Sequence, residues 1–125
     1  MTNSAALDVL LAYHQAWSTH DMDAAMTYVA EDIVVLAPAG RLRGAAEFRQ
    51  FMEPFSRIVT RYRQVAAYGD DHLAVIIYDT DTVPVADAPG AEAVTVADGR
   101  ITWMRIIFDR LPFDAARRAA PERQA

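Results

Sequence analysis

Apolar residues recur through the first segment at the spacing of one helix face. Leu7, Leu10, Leu11, His14 and Trp17 fall three or four residues apart. Residues so spaced stack on one side of a helix, so the pattern predicts an amphipathic helix. Ser4 or Asn3 is placed to cap it, and the polar run Ser18-Thr19-His20 closes it. Asp21 reads as the cap of a second, short helix with Met22, Ala25, Met26 and Val29 facing inward. The β-branched run Ile33-Val34-Val35-Leu36-Ala37, ended by Pro38 and Gly40, predicts a strand. A third helix follows Gly44, with Phe48, Phe51, Met52 and Phe55 on its apolar side. Pro54 cannot donate to the Gln50 carbonyl and should kink or end that helix early.

Beyond this point the period shortens. Thr60 to Tyr68 is mixed, Gly69-Asp70-Asp71 forms a turn, and Leu73 to Thr82 reads as a long strand. Pro84, Pro89 and Gly90 punctuate a loop; Ala91 to Val96 is a strand, Asp98-Gly99 a tight-hairpin signal, and Arg100 to Phe108 the last strand. Helices come first and strands last, which predicts an α+β fold rather than an alternating α/β one. The expectation is three N-terminal helices packed on a curved, mostly antiparallel sheet that encloses a pocket. Residues 1–114 read as a single domain. Residues 115–125, rich in Ala, Arg, Pro, Glu and Gln, have little to bury and read as a poorly ordered tail.

Composition narrows the function. Of the 125 residues, 53% are hydrophobic, enough for a packed core. A formal net charge of -5 argues against nucleic acid as a partner, because a phosphate-binding surface needs concentrated positive charge. Every basic residue is Arg, and Arg41, Arg43, Arg49, Arg57, Arg61 and Arg63 share one stretch. That stretch reads as a solvated helix face and an exposed strand, with an anion site as the alternative. Without cysteine, neither disulfides nor thiolate metal ligation is available. The Met-Thr-Asn-Ser start lacks a signal-peptide pattern, and no apolar run approaches the roughly 18 residues of a membrane span. A cytoplasmic protein with no membrane partner is expected. His14, His20 and His72 lack paired ligand spacing, so no metal is expected. There is no phosphate-cradling glycine motif and no Gly-x-Ser-x-Gly elbow, so any chemistry should need no cofactor.

The order of elements, a Tyr-x3-Trp helix, the His20-Asp21-Met22-Asp23 turn, the Ala30-Glu31-Asp32 lead into the first strand and a closing Asp-Gly-Arg-Ile hairpin together resemble the SnoaL-like proteins. These belong to the nuclear-transport-factor-2-like superfamily, with ketosteroid isomerases and limonene epoxide hydrolases among its members. The resemblance spans about residues 5 to 114 and implies a cone-shaped, cystatin-like roll around a small-molecule pocket. It does not name a reaction, because the family hosts isomerases, cyclases, hydrolases, dehydratases and proteins without catalysis. By resemblance, Tyr13 matches the isomerases' oxyanion-hole tyrosine. Their general base would fall at Ala37, which cannot move a proton, and their second donor, a protonated Asp, falls loosely near Glu92, a residue otherwise read as an exposed strand-end Glu. The hydrolases' catalytic acid on the last strand would fall at Ile106. The cyclase pattern, with a late acid, points to Asp109.

The resulting candidates are Asp109, His14 and Tyr13 for catalysis. Trp17, Val35, Ala37, Phe51, Phe55, Ile76, Tyr78, Thr80, Met104, Ile106 and Phe108 are candidates for the pocket wall. A histidine at position 14 suits proton transfer beside a carboxylate, although the same position also suits a core histidine. Asp109 could act as a base or cap the sheet. On the long strand either Ile76, Tyr78 and Thr80 or Val75, Ile77, Asp79 and Asp81 face inward, and the resemblance favours the first set. The predicted function is acid–base catalysis on an apolar polyketide-like or terpenoid-like substrate, or else binding of a hydrophobic ligand without catalysis. A carboxylate within hydrogen-bond reach of His14 or a pocket tyrosine is the feature that separates the two. Apolar residues on both faces of the long strand predict a homodimer through the outer sheet face.

Overall fold

A computed structural model describes residues 4–124 of the chain, so Asn3, one of the two expected caps, lies outside the described residues. Three helices, α1 (Ala5–Ser18), α2 (Met22–Met26) and α3 (Ala45–Ile58), pack on one face of a curved six-stranded sheet. The strands are β1 (Val29–Ala37), β2 (Gly40–Arg43), β3 (Val59–Gly69), β4 (Leu73–Thr82), β5 (Ala88–Ala97) and β6 (Arg100–Phe108), in the order β2-β1-β6-β5-β4-β3. All neighbours are antiparallel except β1 and β6, which run parallel with Val35 opposite Met104. Register shifts with extra residues in β1, β3 and β6 add local bends, as an extra unpaired residue does. This is the expected α+β roll.

The buried stripe of α1 is Ala6, Leu10, Tyr13, His14, Ala16 and Trp17. It is rotated from the predicted one: Leu7 and Leu11 sit half-buried at its flank while Tyr13 takes the centre. The Ser4 side chain makes no capping bond, whereas Asp21 caps α2 by accepting from the Ala24 N–H at 3.0 Å. α3 continues through Pro54 to Ile58, contrary to the expected early end. Gln50 and Pro54 lie on its exposed face, so the carbonyl that Pro54 leaves without a donor opens to water.

Four boundaries differ from the sequence pattern. β1 begins at Val29, and beyond Pro38 the chain turns back as β2, with Ala37 opposite Gly40. β5 begins at Ala88, so Pro89 and Gly90 belong to a strand rather than a loop; Pro89 lies near its start, where the missing N–H costs little. The stretch read as a tail is helical in α4 (Leu111–Gln124), whose Phe113 packs on Phe55 and Phe108. β4 alternates cleanly. Ala74, Ile76, Tyr78, Thr80 and Thr82 are buried under the helices, and Leu73, Val75 and Ile77 face out. No described helix is long and apolar enough to cross a membrane.

Candidate functional site

A chain of polar contacts runs through the apolar core. Glu92 stands in the middle of β5, in the same inward phase as Gly90, Val94 and Val96. Its strand neighbours are Ile76 on β4 and Ile106 on β6, so the carboxylate rises from an apolar floor. His14 descends from α1 to meet it, with Nε2 2.9 Å from Glu92 Oε1. The Tyr78 hydroxyl donates to Glu92 Oε2 at 3.2 Å. On the other side of the imidazole, the Tyr62 hydroxyl of β3 lies 3.0 Å from His14 Nδ1. Glu92 is 3% exposed and His14 1%. Tyr62 alone of the four is only half-buried.

The local sequence explains the assembly. His14 follows Leu10 by four residues and precedes Trp17 by three, which puts it on the buried stripe of α1. Gly90 seats Tyr78: a Cβ there would fall 2.6 Å from Tyr78 Cζ and 2.7 Å from its hydroxyl, so only glycine lets the ring lie across β5. The rings of His14, Trp17, Tyr62 and Tyr78 then close on one another, with centroids 4.9 to 5.8 Å apart. Towards the surface, Phe55 packs on Trp17, and Phe113 bridges Phe55 and Phe108.

Burying a carboxylate is costly unless it is paired and hydrogen-bonded. Here two donors meet it. The same contacts serve two proton arrangements. A neutral imidazole donates to Glu92 and accepts from Tyr62, whereas an imidazolium donates to both. The tyrosines stay protonated: burial first, and then the charge of Glu92, pushes the Tyr13, Tyr62 and Tyr78 phenols well above the ordinary value.

Asp109 is not the carboxylate that meets His14. Asp109 is exposed at the end of β6, and its Oδ1 accepts the Leu111 N–H at 3.0 Å, so it caps the turn into α4. Glu92, expected to be an exposed strand-end residue, is the buried acid. Its signal in the sequence was its phase with Val94 and Val96, an acid at an inward position. Tyr62 was missed because β3 is polar on both sides and shows no clean alternation. Tyr13 and His14 stand where expected, both buried, and Tyr13 meets His14 edge-on at 5.5 Å. The Tyr13 hydroxyl and Trp17 Nε1 are buried with no partner among the described residues.

Of the wall residues, Trp17, Val35, Ile76, Tyr78, Met104 and Ile106 are buried in the core cluster, and Phe51, Phe55 and Phe108 pack half-buried against it. Thr80 is buried but bonds the Ala88 carbonyl at 2.8 Å. Ala37 lies at the β1–β2 hairpin, outside the cluster. The arginine-rich stretch is largely paired: Arg49 with Asp23 and Glu53, Arg57 with Glu53, Arg61 with Asp81 and Arg63 with Asp79. The β3–β4 pairs line an outer cleft of about 450 Å³ in which carboxylates offset the guanidiniums. Among the described residues, no three His, Asp or Glu side chains converge as a metal site would require.

A curved sheet covered by helices on one face, with a buried His14–Glu92 contact between them, defines an α+β roll. The SnoaL-like domain model matches residues 10–104, and the chain belongs to that family. A crystal structure from Kribbella flavida DSM 17836, for which no activity is named, is 57% identical, with a TM-score of 0.92 over 96% of this chain and 99% of that one. A putative polyketide cyclase from Sinorhizobium meliloti shares 22% identity at a TM-score of 0.69, over 80% and 94% of the two chains. A steroid delta-isomerase from Pseudomonas aeruginosa shares 15% at 0.73, over 99% and 98%. The last two likenesses are of fold alone. Among curated proteins, none matches the chain.

Proposed function

We propose that this protein is a cofactor-independent acid–base enzyme, of isomerase, cyclase or hydrolase type, acting on a largely apolar, carbonyl-bearing molecule of polyketide-like or terpenoid-like character. The observation that carries the reading is the buried His14–Glu92 contact at 2.9 Å, closed by Tyr62 and Tyr78. His14 and Glu92 handle the proton and Tyr13 stabilises a developing oxyanion, while Trp17, Phe55 and Tyr62 bound the substrate. Asp109 has no part in this scheme. The experiment needs no known substrate: apolar cyclic ketones are incubated in heavy water and exchange of the protons next to the carbonyl is followed by NMR. Wild type should exchange at least one ketone faster than buffer, and Glu92→Gln should abolish the gain. Exchange at the buffer rate across the set would leave the second reading, a non-catalytic ligand-binding or accessory protein, which the apolar Ala37 and Ile106 favour.

The protein also acts as a homodimer in this reading, joined through the outer sheet face. Leu73, Val75 and Ile77 of β4 and Ile107 of β6 are 43 to 59% exposed there, with Ala91 of the intervening β5 between Ile77 and Ile107, an apolar surface of the kind that marks interfaces. Light scattering should give twice the chain mass, and Ile77→Glu should halve it; a wild-type monomer at high concentration would exclude the dimer.

A further inference from the structure

Tyr62 stands between the buried pair and the surface. Glu92 and His14 are shut away from water, and so is Tyr78, the other partner of Glu92. Around the imidazole stand the rings of Tyr13, Trp17 and Tyr78, with centroids 5.5, 5.1 and 4.9 Å away, and all three are buried. Tyr62 differs because of where its strand lies. β3 is an edge of the sheet, so Tyr62 is flanked by the exposed Arg61 and Arg63 and is itself half-buried. From its hydroxyl inward the contacts run 3.0 Å to His14 Nδ1, then 2.9 Å from His14 Nε2 to Glu92 Oε1. Both are ordinary hydrogen-bond lengths.

Both inner links can give and take a proton. A hydroxyl donates and accepts, and the two imidazole nitrogens exchange those roles between tautomers. An ionised Glu92 only accepts, so the proton of a neutral His14 sits on Nε2, and Nδ1 accepts from Tyr62. Burial first, and then the charge of Glu92, holds the Tyr62 phenol well above its ordinary value, so Tyr62 passes a proton only by taking another up. A hydronium proton adds to the Tyr62 oxygen, the Tyr62 proton moves to Nδ1, and the Nε2 proton moves to Glu92. The products are one water, an intact Tyr62 hydroxyl, the other neutral tautomer of His14 and a protonated Glu92. Run backwards, the same steps return the proton to water, and the same contacts serve both states. We propose that the Tyr62 hydroxyl is the port through which the buried His14–Glu92 pair exchanges protons with solvent. This role acts through His14 and rests on the acid–base reading for its catalytic purpose, but its test needs no substrate.

The chain has three histidines, so His20→Gln and His72→Gln, each removing one signal from ¹⁵N-histidine protein, assign the ring N–H of His14. Saturation transfer from water then reads its exchange rate. Without the port, that proton must wait for the fold to open locally, which a buried helix face does rarely. Tyr62→Phe keeps the ring packing and should slow the exchange by roughly tenfold or more. Tyr78→Phe removes a partner of Glu92 that is off the route and should leave the rate within about twofold. The backbone amides of α1 should keep their wild-type rates in both variants, which separates a lost route from a loosened fold. If Tyr62→Phe fails to fold, wild type still decides. Measured against free imidazole, the His14 proton should be protected roughly tenfold less than the Tyr13 and Trp17 amides are against free amides. Equal protection, a Tyr62→Phe rate no slower than wild type, or equal slowing by Tyr78→Phe would overturn the proposal. Absence of the ketone exchange predicted above, with the port intact, would instead sink only the catalytic reading.

Discussion

Glu92→Met tests the central contact most directly. Methionine keeps the length and burial of the side chain and removes the acceptor that His14 and Tyr78 share. Two buried donors are then stranded at about 1–3 kcal/mol each, while the cost of burying a carboxylate disappears. The expected loss is about 2–4 kcal/mol. His14→Phe leaves Glu92 buried with only Tyr78 to meet it, and removing one partner of a buried pair costs about 3–5 kcal/mol. In the double variant only the Tyr78 hydroxyl is stranded in the core, because half-buried Tyr62 can turn its hydroxyl to water. That should cost about 1–3 kcal/mol. The two singles together should therefore exceed the double by a coupling of roughly 5 kcal/mol, the difference of these central values. With roughly 5–15 kcal/mol available to a domain of this size, each single should remain folded. Urea unfolding followed by tryptophan fluorescence and circular dichroism measures all four corners. Additivity within about 0.5 kcal/mol would refute a contact between the two side chains.

Three further outcomes follow from the same geometry. The raised phenols of Tyr13 and Tyr78 have no effect on stability below about pH 10. Above it the unfolded chain releases protons that the fold retains, so stability should fall by about 2.7 kcal/mol per pH unit for the two together. Thermal melts between about pH 9 and 11 check this, and a flat profile would contradict their burial. Tyr62→Phe should cost less than about 1 kcal/mol, because the ring packing survives, yet move the ¹⁵N resonance of His14 Nδ1; an unchanged resonance would mean that the 3.0 Å contact is not made in solution. Gly90→Ala should push the Tyr78 ring off β5, costing about 1–3 kcal/mol as overpacking does, and a melting temperature equal to wild type would show that the ring gives way freely.

The strongly patterned parts of the chain were legible in the sequence, and the site was legible only in half. β4 and β6 match their predicted bounds because turn signals delimit each of them. The α2 cap at Asp21 is a local interaction and needs no tertiary partner. Pro54 and Pro89 misled for one reason. Each reads as a breaker in the sequence, but the missing N–H falls on an exposed helix face in one case and near a strand start in the other. Tyr13 and His14 could be found because the stripe of α1 is periodic. Glu92 could not be ranked above Asp109 from spacing alone. Which acid is buried depends on β5 being the central partner of β4 and β6, a long-range fact.

The position of Glu92 also bears on why neither well-marked family template fits. The carboxylate implied by the hydrolase resemblance would stand at Ile106, and Ile106 is the direct strand partner of Glu92. Directly opposed side chains on one sheet face lie about 5 Å apart. The acid is thus displaced by a single strand, from β6 to β5, while still rising from the same floor toward α1. A concave sheet can present a carboxylate to one point from several strands, since inward positions of neighbouring strands converge there. Stability gives no reason for it to do so, because a well-packed apolar pair would serve the core as well as a buried ionisable one. With Ile106 where the hydrolase resemblance implies an acid, the sheet supplies Glu92 directly beside it and His14 above it, so the buried carboxylate stands one strand over from the implied position.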